Sequence, residues 1–148
     1  MTELDSRLYR KTEWLLYDYP TFESAIKVLQ AELEAMLPAP TSSVAGVGRK
    51  EAWAPGDTSE TERWAILRHE SPRARRLWSE LRKKHGYKAG IEDALELLSD
   101  EERELVRLNY WEQRTNAQCA GKLGIPSRTF DRMKRQVVET VAKCLGYF

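Results

Sequence analysis

The chain is 148 residues long, 41% hydrophobic and 32% charged, a balance that excludes an intrinsically disordered polyelectrolyte. Lys and Arg number 24 against 23 Asp and Glu, so a net charge of +1 excludes a protein that coats nucleic acid by bulk charge. No apolar run approaches the ~20 residues of a membrane helix, and the acidic start Met1-Thr-Glu-Leu-Asp lacks a hydrophobic signal segment. No membrane partner and a cytoplasmic location are therefore expected.

Charge is distributed unevenly. From Arg73 to Lys88 seven Lys and Arg accompany one acid, Glu80, and from Gly121 to Lys143 six accompany Asp131 and Glu139. Clustered cations in a near-neutral protein point to localised polyanion sites. Cys119 and Cys144 fall inside helical patterns, far in sequence from His69 and His85, so they read as core thiols in a reducing compartment and not as metal ligands.

In chain order, Leu4, Leu8, Leu15 and Tyr19, widened by Trp14, Leu16 and Tyr17, predict a helix over 4–19. Pro20 is expected to end it and to open the next. That second helix carries Phe22, Ile26, Leu29, Leu33 and Leu37 at spacings of three or four residues, before Pro38. Residues 1–37 thus read as a helical hairpin, too small to hold a core alone. It has to pack on the rest of the chain or on a second copy. Dimerisation is the functional expectation, and removal of 1–37 should then leave a monomer. Residues 38–57, with Pro38, Pro40, Gly46, Gly48, Pro55 and Gly56, break periodicity and read as a linker holding one isolated aromatic, Trp53. Residues 58–148 read as one helical domain. Thr58, Ser59 and Thr61 are its possible first caps, Ser71-Pro72 starts another helix, and Gly86 and Gly90 bracket a break or weak point. Ile91, Leu95 and Leu98 then lead into the C-terminal third without a linker.

That last third is the most informative stretch. Ser99 with Glu102 and Thr115 with Gln118 form two capping boxes. The second opens a short helix from Asn116 to Leu123, followed by Gly124 where a left-handed residue is needed. Ile125 plugs the turn, and Pro126-Ser127 starts a third helix, with Ser127 the expected cap. Its stripe is Phe130, Met133, Val137, Val141 and Leu145. Small Ala120, the glycine, the plug and the paired apolar positions together define a helix-turn-helix at about 115–142. On such a motif, residues near the start of the second helix reach base edges in the DNA major groove. Ser127, Arg128, Thr129, Asp131, Arg132, Lys134 and Arg135 lie off the stripe and, with Thr115, form the candidate DNA-binding set. Arg128 and Arg132 suit the two acceptors of guanine, and Lys134 and Arg135 suit phosphates. Asp131 either accepts from cytosine or orients Arg128 or Arg135. Replacing Lys134 should therefore weaken binding to all sequences alike.

Leu98-Ser-Asp-Glu-Glu-Arg-Glu-Leu-Val-Arg-Leu-Asn-Tyr-Trp-Glu followed by Thr115 to Arg132 resembles region 4 of the sigma-70 family of transcription factors. In layout, with a Tyr-Pro hairpin, a loop, a Thr-Glu-Arg-Trp helix and a sigma-like end, the chain is similar to ArpU/RinA-type phage and prophage regulators. The resemblance implies an all-α fold and a transcriptional activator of double-stranded DNA, cytoplasmic in a bacterial host. It also implies RNA polymerase as a further partner, met through the acidic segment from Asp100 to Glu112. Cys119 and Pro126 depart from the usual aliphatic residue and serine. A homodimer is expected, because pairing places two readers one DNA turn apart. Two alternatives stay open: a small terminase-like DNA-packaging subunit, which would form a ring, and a helical interaction module that binds no nucleic acid. Neither a catalytic site, a cofactor nor a metal is expected, since no glycine-rich phosphate loop, ligand cluster or paired nucleophile and histidine appears.

Overall fold

The computed structural model describes residues 4–37 and 60–147, and over these the chain is all-α, with no strand among the described residues. The helices are α1 (Ser6–Met36), α2 (Glu60–Glu70), α3 (Pro72–Leu97), α4 (Asp100–Leu105), a π-helical turn (Val106–Trp111), α5 (Asn116–Leu123) and α6 (Ser127–Cys144). The linker expected over 38–57, Trp53, and the caps expected at Thr58 and Ser59 lie outside the described residues.

Two expectations about helix breaks are corrected. The first concerns Pro20, which lies inside α1, so residues 6–36 form one helix and not a hairpin. Proline has no N–H, and its presence leaves the carbonyl four residues earlier without a helical donor. That carbonyl belongs to Leu16, and the Trp111 indole N–H donates to it at 3.1 Å. The Trp111 ring also stacks on Tyr19, with centroids 5.2 Å apart. Trp111→Phe should therefore cost about 1–3 kcal/mol by leaving a buried carbonyl unmet. In a Pro20→Ala background the alanine N–H supplies the missing donor, and the cost of Trp111→Phe should fall. Equal costs in both backgrounds, from a double-mutant cycle by urea unfolding, would refute this account of the proline.

The second correction concerns Gly86 and Gly90, which do not break α3. Gly90 serves close approach instead: a Cβ there would meet Leu145 Cδ2 at 2.7 Å and the Cys144 carbonyl oxygen at 3.2 Å. The glycine lets the end of α6 lie directly on α3.

The described chain divides into two compact units, Met1–Ser24 with Lys84–Phe148, and Ala25–Lys83. In the first, Leu15, Leu16 and Phe22 of α1 share one core with Ile91, Ala94 and Leu98, with Leu105, Val106, Leu108 and Tyr110, and with Phe130, Val137, Val138 and Val141 of α6. The α6 stripe is wider than its spacing predicts, because Val138 and Ala142 are also fully buried. In the second unit, Ile26 and Leu33 pack with Leu67, Ala74 and Leu81, flanked by Trp64, Leu77 and Trp78. Ser71 caps α3 as expected, its hydroxyl accepting from the Ala74 N–H at 3.1 Å. The centre of the α1 stripe, expected to form a dimer surface or to pack on the rest of the chain, is thus buried within the two units of a single chain at Leu15, Phe22, Ile26 and Leu33, while Trp14 stays exposed.

Candidate nucleic-acid interface

The helix-turn-helix is built from local rules that the structure reproduces. Thr115 caps α5, its hydroxyl accepting from the Gln118 N–H at 3.2 Å while the Gln118 carboxamide accepts from the Thr115 N–H at 3.1 Å. The Ser99–Glu102 box opens α4 in the same way. Gly124 ends α5 at φ 69°, the left-handed conformation that glycine adopts without a Cβ penalty. Ile125 is half-buried against the core and Ala120 is buried where α5 meets α6. One expectation shifts by a residue. Pro126 is the residue before α6 (φ −65°, ψ 152°), so Ser127 is the first helical residue and not the cap.

The approach to the motif holds what the sequence reading missed. Residues 106–111 form a π-helical turn in which Val106, Leu108, Asn109 and Tyr110 are all buried. Leu108, Asn109 and Tyr110 are buried in succession, a run of three that the wider turn accommodates. Gln113 then reverses the chain at φ 57°. Asn109, only 4% exposed, ties this corner together. Its amide nitrogen donates to the Arg114 carbonyl and to Asn116 Oδ1, both at 3.0 Å, and lies 3.7 Å from Cys119 Sγ. Cys119, where an aliphatic residue is usual, is a buried free thiol within this polar corner. One amide in an otherwise apolar run, just ahead of an N-cap threonine, is the signal that could have found it. Arg107 and Arg114 pair with Glu104 and Glu112, so most acids of the segment from Asp100 to Glu112 have neighbouring cations.

On α6 the predicted set separates. Ser127, Arg128, Thr129, Asp131, Arg132 and Arg135 are exposed, as is Thr115, the cap of α5. Among the described residues Arg128, Arg132 and Arg135 form no ion pair, and Asp131 orients neither Arg128 nor Arg135 through one. Three guanidiniums at four- and three-residue spacing therefore form an unneutralised ridge along one side of α6. Lys134 is placed differently. Its ammonium is 3.6 Å from Glu13 Oε2, 3.3 Å from Asn116 Oδ1 and 5.3 Å from the Tyr110 ring centre, with the side chain 16% exposed. It is a packing cation that fastens α1 to the motif, not a free phosphate ligand.

Glu13 also accepts from the Tyr110 hydroxyl at 2.8 Å. Tyr9 and Glu13 of α1 line a surface groove with Asp131, Arg132 and Arg135. The Tyr9 phenol is pushed up to about 12, first by burial and then by the Glu13 carboxylate, with Arg135 opposing. It remains a neutral donor beside the ridge at physiological pH. No group of three or more His, Cys, Asp or Glu is placed to hold a metal ion among the described residues. No helix among them is long and apolar enough to cross a membrane.

A short helix, a left-handed glycine and a second helix with exposed arginines in its first turns define a helix-turn-helix of the DNA-binding type. A family model described as Sigma-70, region 4 matches residues 88–140, a little over a third of the chain. The C-terminal module is thus a sigma-70 region 4-like helix-turn-helix. The match starts within α3, ahead of the resemblance that begins at Leu98, and the burial of Ile91 and Ala94 in the same core gives the physical reason. No curated protein and no solved structure matches the chain.

Proposed function

We propose that the chain is a sequence-specific transcriptional regulator of double-stranded DNA, an activator of the ArpU/RinA phage or prophage kind, cytoplasmic in a bacterial host. The observation that carries this reading is the unpaired ridge of Arg128, Arg132 and Arg135 on the second helix of a sigma region 4-like motif. Ser127 and Thr129 add donors for phosphate or base edges. Thr115 contributes by fixing the start of α5. A homodimer on paired half-sites fits the small footprint of one recognition helix. Its interface would use surfaces other than the α1 stripe buried within each chain. RNA polymerase is the second partner in this reading, supported by the resemblance of the module to sigma region 4.

Selection of bound duplexes from a random pool tests the proposal, with half-sites about one DNA turn apart the expected outcome. Arg128→Ala and Arg132→Ala should each lower affinity for the selected site by about 1–3 kcal/mol and relax preference at one base pair. Unchanged preference in both variants would remove the recognition-helix assignment. Mass measurement in solution distinguishes the dimer from the ring that a packaging subunit requires.

A further inference from the structure

We propose that the face between α2 and α3 in the unit Ala25–Lys83 binds the phosphate backbone of duplex DNA as a second, sequence-independent contact. The inference rests on the DNA-binding reading above. A surface groove there is lined by Arg68, His69, Arg75, Trp78, Arg82 and Lys83, together with Ala65 and Ser79, and no carboxylate contributes to its wall. Some cations elsewhere on α3 are paired with acids. Arg73 faces Glu32 at 3.9 Å and Lys88 faces Glu92 at 3.3 Å. Within the groove only Lys83 has such a neighbour, Glu80 at 3.8 Å. Arg68, Arg75 and Arg82 form no ion pair among the described residues.

Two of these three are held in place before any ligand arrives. The Arg68 guanidinium lies 5.0 Å from the Trp78 ring centre, a cation–π contact that holds it in place. Arg75 donates through Nη1 to the carbonyls of Arg68 at 3.1 Å and His69 at 2.9 Å, at the end of α2. The remaining N–H groups of that fork stay available. Arg75 and Arg82 are seven residues apart on α3, a rise of about 10.5 Å. That length of duplex carries roughly three phosphates on each strand. Preplaced, unneutralised cations at this separation suit an extended polyanion better than a single small anion.

The test uses the full chain with a selected-site duplex and a random-sequence duplex of equal length. Arg68→Gln/Arg82→Gln/Lys83→Gln leaves Arg75 on its helix-end carbonyls, and Arg82→Glu alone is the second variant should the triple one lose its thermal transition. The triple variant should bind both duplexes about tenfold or more weaker, with the slope of log affinity against log salt smaller by about 2–3. The ratio of selected to random affinity should be preserved. Arg128→Ala, by contrast, should lower that ratio. If the folded groove variants keep wild-type affinity and salt slope while Arg128→Ala loses discrimination, the groove is not a DNA contact and the proposed function stands. If the unaltered chain binds neither duplex, both readings fall.

Discussion

A chain lacking residues 1–24 should fail to fold its DNA reader. The N-terminal part of α1 supplies Leu15, Leu16 and Phe22 to the core of the helix-turn-helix unit, exposed by only 8%, 0% and 2%. Each buried side chain of this size contributes about 1.5–3 kcal/mol. Together they amount to roughly 5–9 kcal/mol, on the scale of the whole net stability of a domain. The deletion also removes the Leu16 carbonyl from Trp111 and the Glu13 carboxylate from Tyr110 and Lys134. Far-UV circular dichroism and urea unfolding of the truncated chain should show loss of the cooperative transition, not a folded monomer. A truncated chain that unfolds cooperatively at the wild-type midpoint would overturn the placement of α1. This reverses the outcome expected of a separate dimerising hairpin, whose removal would leave the reader intact.

The contrast shows which structure is legible in a sequence. The two capping boxes, the left-handed Gly124 and the α6 stripe rest on interactions within about four residues, and all were readable. The place of Pro20 inside a helix is not legible locally, because the group that compensates its missing N–H, the Trp111 indole, lies 95 residues beyond the carbonyl it serves. The role of Gly90 depends on Leu145, which is also remote in sequence. Lys134 sits off the apolar stripe and by periodicity should face solvent. It turns inward because α1, which periodicity cannot place, brings Glu13 alongside it. The arginine ridge was legible because its members stay exposed, as periodicity alone places them. The Arg73–Lys88 run was visible as charge, but the pairing of Arg73 depends on α1, which brings Glu32 to it.

Tyr110→Ala should be the most damaging single substitution near the reader, costing about 3–5 kcal/mol. The ring is fully buried and meets Tyr17 edge-on, with centroids 4.9 Å apart, while Lys134 lies over it. Tyr110→Phe isolates the hydroxyl, whose bond to the Glu13 carboxylate should be worth about 1.5–3 kcal/mol at neutral pH. Burial first, and then the Glu13 charge, raises the Tyr110 phenol well above its usual range. Stability from a phenol raised in this way is fully present below the unfolded value near pH 10 and is lost as pH rises above it. The unfolded chain gains phenolate there while the native chain resists ionisation, at about 1.4 kcal/mol per pH unit for this residue. Phenylalanine cannot ionise, so the cost of Tyr110→Phe should shrink above pH 10 and reverse near the point where the two effects match. Tyr9 and Tyr19, both pushed up to about 12, act in the same direction. Phenolate absorbance at these tyrosines should therefore appear together with loss of helical dichroism. A Tyr110→Phe cost that stays constant from pH 8 to pH 11 would show that the hydroxyl is not held neutral at the junction of α1 and the reader.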